Sequence, residues 1–276
     1  MISREPSSFR DRSGFVFHKD GVLYRQIRPA YLEKYRQLMD SGLYEELVKE
    51  RLIIPHKEIT IGGYDSHGGI VIQPKRVPFV SYPYEWSFGQ YQDAALTTLK
   101  VHLTALKYGM FLKDASSYNI QFLNRYALII DTLSFEIYEE RSPWIAYGQF
   151  CRHFLAPLLL MQIVDIRLSK LMQSFIDGIP LDLASNLLKR RGGLFGHLHI
   201  HLHAKSIAAH AEEGKRISST KQIYMGKNAY EALAQSLYTG IQRLKMKSVT
   251  TEWGNYYTHT NYSEYAAESK EGIVAA

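Results

Sequence analysis

The 276 residues (31.8 kDa) are 46% hydrophobic and 22% charged, with 20 Tyr and 12 Phe, which excludes a disordered polymer and allows a sizeable core without disulfides or metals. The single cysteine, Cys151, excludes an internal disulfide and a multi-thiolate zinc site, and it suits a reducing compartment, so the cytoplasm is expected. A modest excess of 33 Lys+Arg over 27 Asp+Glu gives +6, which favours anionic ligands; the basic residues are scattered, and the one dense run, Lys189-Arg190-Arg191, reads as a solvated helix end, so no nucleic-acid partner is expected.

Met1 to Pro6 carry charges and a proline where a secretory signal would need an apolar run of roughly 7–15 residues. Phe15-Val16-Phe17, the turn ending Asp20-Gly21, and Val22 to Ile27 spell a hairpin. Pro29 suits a helix start, and Tyr31, Leu32, Tyr35, Leu38 and Met39 recur at helical spacing until Ser41-Gly42; a short helix, Leu43 to Glu50, follows. Leu52-Ile53-Ile54, Ile70-Val71-Ile72 and Phe79 to Tyr82 are expected to be further strands. After Pro83 the pattern turns helical, and Ala94, Ala95, Leu96, Leu99, Leu103, Leu106 and Met110 form one long stripe ending near Gly109. Ile120-Gln121-Phe122 and Ala127 to Ile130 are short strands about a turn at Asn124-Arg125. From Trp144 to about Met246 the pattern is almost wholly helical, including Phe150 to Leu171 and Leu181 to Leu188. The longest apolar stretch, Phe154 to Met161, is broken by Pro157 and is far below the roughly 18 residues of a membrane span, so it reads as a buried core helix and no membrane partner is expected. The divisions expected are a strand-rich lobe over 1–83, a helical lobe over 84–249, and a polar, Tyr-rich linker or approach to a partner domain over 250–276.

The most informative stretch is Asp114-Ala115-Ser116-Ser117-Tyr118-Asn119, then Ile120 to Phe122, then Ile130-Asp131. An acid, four residues, an amide, a short strand and a second acid at a hairpin end suit phosphoryl transfer. One carboxylate orients an acceptor hydroxyl while the Asn and the other carboxylate hold magnesium on nucleotide phosphates. Here the chain resembles the protein-kinase-like fold, especially small-molecule kinases of the aminoglycoside and choline kinase type. The resemblance implies a two-lobed α+β protein with an antiparallel-sheet N-lobe and a mainly helical C-lobe. It implies ATP and Mg as cofactors, with Asp114 as the catalytic carboxylate that orients the acceptor hydroxyl and Asn119 and Asp131 as metal ligands. Arg25 stands where the family places a phosphate-binding Lys, with Glu45 or Glu46 as its partner, and Arg12-Ser13-Gly14 is the nearest substitute for a Gly-rich phosphate loop. The plain structural alternative makes Asp114 a helix cap and Asn119 an Asx-turn.

The departures are specific. Leu112-Lys113 stand before the acid where kinases carry a His; Asp131 precedes Thr132-Leu133-Ser134 rather than an aromatic and Gly; and an Arg replaces the Lys. The missing His and Gly-rich loop favour a pseudokinase, whereas retention of Asp114, Asn119 and Asp131 favours a phosphotransferase acting on a small-molecule hydroxyl.

A second resemblance extends along the chain. Pro83 to Phe88, Leu112 to Ser116, Ile130 to Glu136, Gln149 to Leu158 and Ile176 to Leu181 look like the N-terminal module of bacterial proteins described as SAM-dependent methyltransferases, some nodulation-protein-like. No Gly-rich SAM-binding turn after an acidic strand end is found in this sequence. The resemblance therefore implies a nucleotide-binding module that positions or regulates a fused or separate methyltransferase, with SAM bound by that partner.

His197, His199, His201 and His203 alternate through Leu198 and Leu202, a spacing compatible with zinc ligation by i,i+4 pairs or with helix packing. Phe195, Leu198 and Leu202 continue a helical stripe, and no supporting carboxylate is identified, so packing is the stronger reading. Cys151, among apolar residues, reads as an inert buried thiol, and Trp86 and Trp144 as core anchors.

Overall fold

The computed structural model describes residues 2–6, 8, 11–62, 69–140, 144–189, 191, 193–201, 226–246 and 262–275. Residues 1–244 form one compact unit and 245–276 a second. The first is a mixed α+β structure. Its five-stranded antiparallel sheet runs in the order β1-β2-β3-β5-β4, with β1 Ile2–Arg4, β2 Gly14–Lys19, β3 Val22–Ile27, β4 His56–Ile59 and β5 Ile70–Pro74.

The β2–β3 hairpin turns on Asp20 and Gly21, both at positive φ (51° and 80°), the two-residue geometry whose twist matches the flanking strands. A Cβ on Gly14 would lie 2.3 Å from the Gln26 carbonyl oxygen and 2.9 Å from Leu133, so only glycine lets β2 lie this close to its neighbours. Pro29 opens a 3₁₀ turn that runs into α1, Leu32–Asp40. Gly42, at φ 85°, redirects the chain into α2, Leu43–Lys49. Beneath the sheet, Ile27, Tyr31, Tyr35, Ile72 and Leu133 form one buried cluster, which ties β3, β5 and α1 to the segment just after Asp131.

Helix α3, Phe88–Lys107, is the axis of the helical part. Ser87 caps it, accepting from the Gln90 amide while the Gln90 side chain accepts from the Ser87 amide, and Gly109 at φ 73° ends it. Its buried face includes Tyr91, Ala95, Leu99, His102 and Leu106. Strand β6, Met110–Leu112, follows, then β7, Ile120–Leu123, and β8, Tyr126–Ile129, joined through Asn124 and Arg125, both at positive φ. Strand β9, Phe135–Ile137, returns to pair with β6. Next come α4, Tyr147–Phe150, a π-helical turn Cys151–Leu155, α5, Ala156–Ile163, α6, Leu171–Ser174, and α7, Leu181–Leu188. Lys189 closes α7 in the left-handed conformation, so this part of the basic run is a helix end. Helices α8, Gly193–Gly196, and α9, Lys227–Gln242, complete the first unit. Gln92 of α3 anchors α9 by donating to the Ile241 and Leu244 carbonyls at 2.7 and 2.9 Å.

Two expected strands differ. Leu52 to Ile54 make no ladder of their own: Ile54 donates to Ile129 and Ile129 to Leu52, so this stretch docks on β8 instead. Phe79 to Tyr82 form no strand, since Pro78 lacks a donor and the backbone of Ser81 is bonded by the Gln121 side chain. In the second unit α10, Glu264–Ala275, buries none of its residues, and Tyr265 is 83% exposed. Trp253, Tyr256 and Tyr257 lie outside the described residues. Among the described residues no helix is long and apolar enough to cross a membrane.

Candidate functional site

A cleft of about 1410 Å³ opens between the sheet and the 114–131 segment. Arg25, His56, Lys57, Lys75 and Arg76 line one side, and Asp114, Asn119 and Asp131 line the other. The lining also includes the apolar residues Val22, Leu23, Val77, Pro78 and Val80.

Arg25 is the most buried cation on the lining for which an ion pair is seen. β3 holds it in register with Ile72, and its guanidinium bridges two carboxylates, Asp11 Oδ2 and Asp131 Oδ1, each at 2.6 Å. Burial works against the charged guanidinium, yet Asp131 and Asp11 outweigh it and hold its pKa above the ordinary value. The carboxylates are themselves oriented by the backbone: Asp131 Oδ1 accepts from the Leu133 amide at 2.8 Å and Asp11 Oδ1 from the Ser13 amide at 2.8 Å. Arg25 Nε is buried without a hydrogen-bond partner among the described residues.

The 114–119 loop is held from below by the helical segment. Gln149 donates to Asp114 Oδ1 at 2.8 Å and accepts from the Ala115 amide at 2.8 Å, a two-point clamp on the loop. One turn further on, within the π-helical turn, His153 Nδ1 meets Ser117 Oγ at 3.1 Å. Trp144 donates to the Leu112 carbonyl and Tyr118 to the Met172 carbonyl. Asp114 also accepts from the Ser116 amide at 3.0 Å, an Asx-turn rather than the expected helix cap, since Ser116 caps the 3₁₀ turn Ser117–Asn119 by accepting from the Tyr118 amide, and Asp114 lines the cleft. Asn119 donates to Ser134 Oγ at 3.4 Å, which leaves its amide oxygen as a candidate ligand atom.

Ser13 and Gly14 take other places. The Ser13 hydroxyl accepts from Lys113 Nζ at 3.5 Å, Gly14 is packed on Gln26 and Leu133, and Ser8 and Asp11 line the cleft instead. Glu46 is in α2 and does not line the cleft; the carboxylates on Arg25 are Asp11 and Asp131. Asp11 is next to the Arg12-Ser13-Gly14 stretch and was within reach of sequence reasoning. Gln149 was not, because nothing local marks a helix glutamine that clamps a distant loop.

Asn119 and Asp131 offer the hard oxygens that suit magnesium. Among the described residues no group of three or more His, Cys, Asp or Glu is placed to hold a metal, and Arg25 already neutralises Asp131. The residues therefore fit a divalent ion only as one carried in on phosphates. His199 and His201 are buried, hydrogen-bonded to Tyr147 and Ser185 respectively, and burial lowers His199 to about 4; His203 lies outside the described residues. Cys151 is buried and its thiol is pushed up to about 12 by burial, an inert group.

These features define an α+β protein with a polar, acid-floored cleft crossed by an Asp–Arg–Asp bridge. No family model matches the chain. Over nearly its whole length it is similar to nodulation protein NoeA of Rhizobium meliloti (strain 1021), with 29% identity over 280 residues that cover 99% of this chain and 58% of that protein. The chain thus spans less than two thirds of the length of the curated relative it matches.

Proposed function

We propose that the chain is a kinase-like, two-lobed nucleotide-binding module in a bacterial nodulation-protein-like protein, and that it acts as a pseudokinase positioning or regulating a SAM-dependent methyltransferase. The observation that carries this reading is the Arg25–Asp131 ion pair at 2.6 Å inside a cleft that Asp114 and Asn119 also line. A cation of the protein occupies the carboxylate that a turnover-competent site would leave for magnesium, while the cleft keeps the volume and charge to take a phosphorylated ligand. Asn119 and Asp131 are the residues that would hold magnesium carried in on nucleotide phosphates, but Arg25 already supplies charge neutralisation at Asp131, so binding would depend little on the ion. Arg25 would meet the phosphates, and the apolar lining would cover a planar base. The methyltransferase association rests on the resemblance of the quoted sequence phrases to modules that precede such a domain, and NoeA is long enough to contain more than the part matched here.

The alternative is a Mg-ATP-dependent phosphotransferase. It draws on the clamped Asp114, whose Oδ1 is held by Gln149 and Ser116 in a way that would orient an acceptor hydroxyl at the other oxygen. Calorimetric titration with ADP, with and without magnesium, together with an ATP turnover assay, decides between them. The pseudokinase reading expects ADP binding that changes little when magnesium is chelated, and no turnover. Turnover abolished in Asp131→Ala establishes the enzyme, and absence of any ADP binding removes both.

A further inference from the structure

The Arg25 guanidinium already holds two anions, and the chain anchors them unequally. Nη1 donates to Asp131 Oδ1 and Nη2 to Asp11 Oδ2, each at 2.6 Å, and all three residues line the cleft. Asp131 is fixed on both sides. The Ile130 amide before it donates to the Asn119 carbonyl at 2.8 Å, and Leu133, whose amide donates to Asp131 Oδ1, is 2% exposed in the cluster with Ile27 and Tyr31. Moving Asp131 would therefore pull on the core. Asp11 stands in the irregular stretch before β2, its own amide makes a long 3.3 Å bond to the Ser8 carbonyl, and its carboxylate is bonded otherwise to the Ser13 amide two residues along. Its side chain is the more exposed of the two, at 28% against 21%. Turning it away from Arg25 leaves β2 and the buried cluster in place.

The charge balance gives this difference a consequence. An anionic ligand that simply added to Arg25 would gather three anions about one cation, whereas exchange for Asp11 keeps two and returns a carboxylate to water. A phosphate oxygen offers Nη2 the same charge-assisted hydrogen bond that Asp11 Oδ2 now accepts. We propose that Asp11 is a resident competitor for the phosphate position of the cleft, an autoinhibitory contact that a nucleotide phosphate displaces from Arg25 Nη2 while Asp131 stays in place. This rests on the nucleotide reading above. Such a competitor lowers the apparent affinity by the fraction of molecules in which it leaves Arg25 open, so weakening it tightens binding without any new contact.

The test is a set of calorimetric titrations on the full chain with ADP and with adenosine, which lacks the phosphates, using wild type, Asp11→Asn and Asp114→Asn. Asp11→Asn keeps an acceptor for the Ser13 amide but gives up the charge on Arg25, and it is expected to bind ADP about tenfold more tightly than wild type, with adenosine unchanged. Asp114→Asn removes a lining carboxylate that is bonded to Gln149 and Ser116 rather than to Arg25, so it measures the general effect of one negative charge and is expected to gain clearly less. An Asp11→Asn gain no larger than that of Asp114→Asn, or an equal gain for adenosine, overturns the inference and leaves the nucleotide reading standing. No ADP binding by wild type or by Asp11→Asn overturns both. Carboxyl ¹³C shifts of wild type titrated with ADP decide the matter even if Asp11→Asn fails to fold: the Asp11 resonance is expected to move further than that of Asp131, and an Asp11 resonance that moves no further overturns the exchange.

Discussion

The Arg25–Asp131 bridge makes a quantitative prediction, because the same molecule holds a reference pair. Arg25, Asp131 and Asp11 retain only 15%, 21% and 28% of their side-chain exposure, whereas Arg167 in the Arg167–Asp165 pair retains 85% at the same 2.6 Å separation. Exposed pairs couple by roughly 0.2–1 kcal/mol, because water screens the attraction and two side chains lose freedom. Removing one partner of a buried pair costs about 3–5 kcal/mol, because the remaining charge stays desolvated. Partial exposure places Arg25→Met below that range, at about 2–3 kcal/mol, with Asp11 and Asp131 left facing each other. Asp131→Asn keeps an acceptor for the Leu133 amide, so a double-mutant cycle of Arg25→Met with Asp131→Asn isolates the ion pair. The coupling from urea denaturation is expected at about 2 kcal/mol and largely retained in high salt, whereas that of the solvent-screened Arg167–Asp165 pair is expected to be clearly smaller and to vanish in salt. Equal coupling in the two pairs, erased in both by salt, would refute the view that Arg25 is a built-in counter-cation.

Burial lowers His102 to about 3 and His153 to about 4, below the unfolded value, so the unfolded chain takes up protons that the native chain refuses; stability is full above about pH 6.5 and falls with pH toward the folded values, by about 2 kcal/mol for each group between pH 7 and pH 5. Denaturant midpoints measured across that interval check this, and a flat profile contradicts it. Gln149→Leu strands the Ala115 amide and removes one of the two donors on Asp114 Oδ1, which keeps the Ser116 amide, a loss of about 1–3 kcal/mol, and it should speed hydrogen exchange at Ala115 well before the global unfolding limit; unchanged exchange there disproves the clamp. Cys151 is expected to react with a thiol reagent only at the rate of unfolding, so rapid labelling of the native chain would contradict its burial.

Features decided by neighbours in the chain were legible in the sequence. Asp20-Gly21 and Asn124-Arg125 announced their hairpins through local conformational preference, and the stripe from Ala94 to Leu106 announced α3 through its period. The Asp114, Asn119 and Asp131 spacing marked the residues that line the cleft. Tertiary structure decided where strand-like segments found partners: Leu52 to Ile54 carry the apolar residues of a strand, but their backbone bonds go to Ile129, which no local pattern predicts. It also decided the partners of Arg25. Acids in α2 were the near choice by sequence order, yet the carboxylates that reach the guanidinium are Asp11, from the loop before β2, and Asp131, after β8. The physical reason is that a charge taken out of water is matched by whichever opposite charge the packed backbone brings within hydrogen-bonding distance. That separation in space depends on how Leu133 docks beneath Ile27 and Ile72, not on separation along the chain.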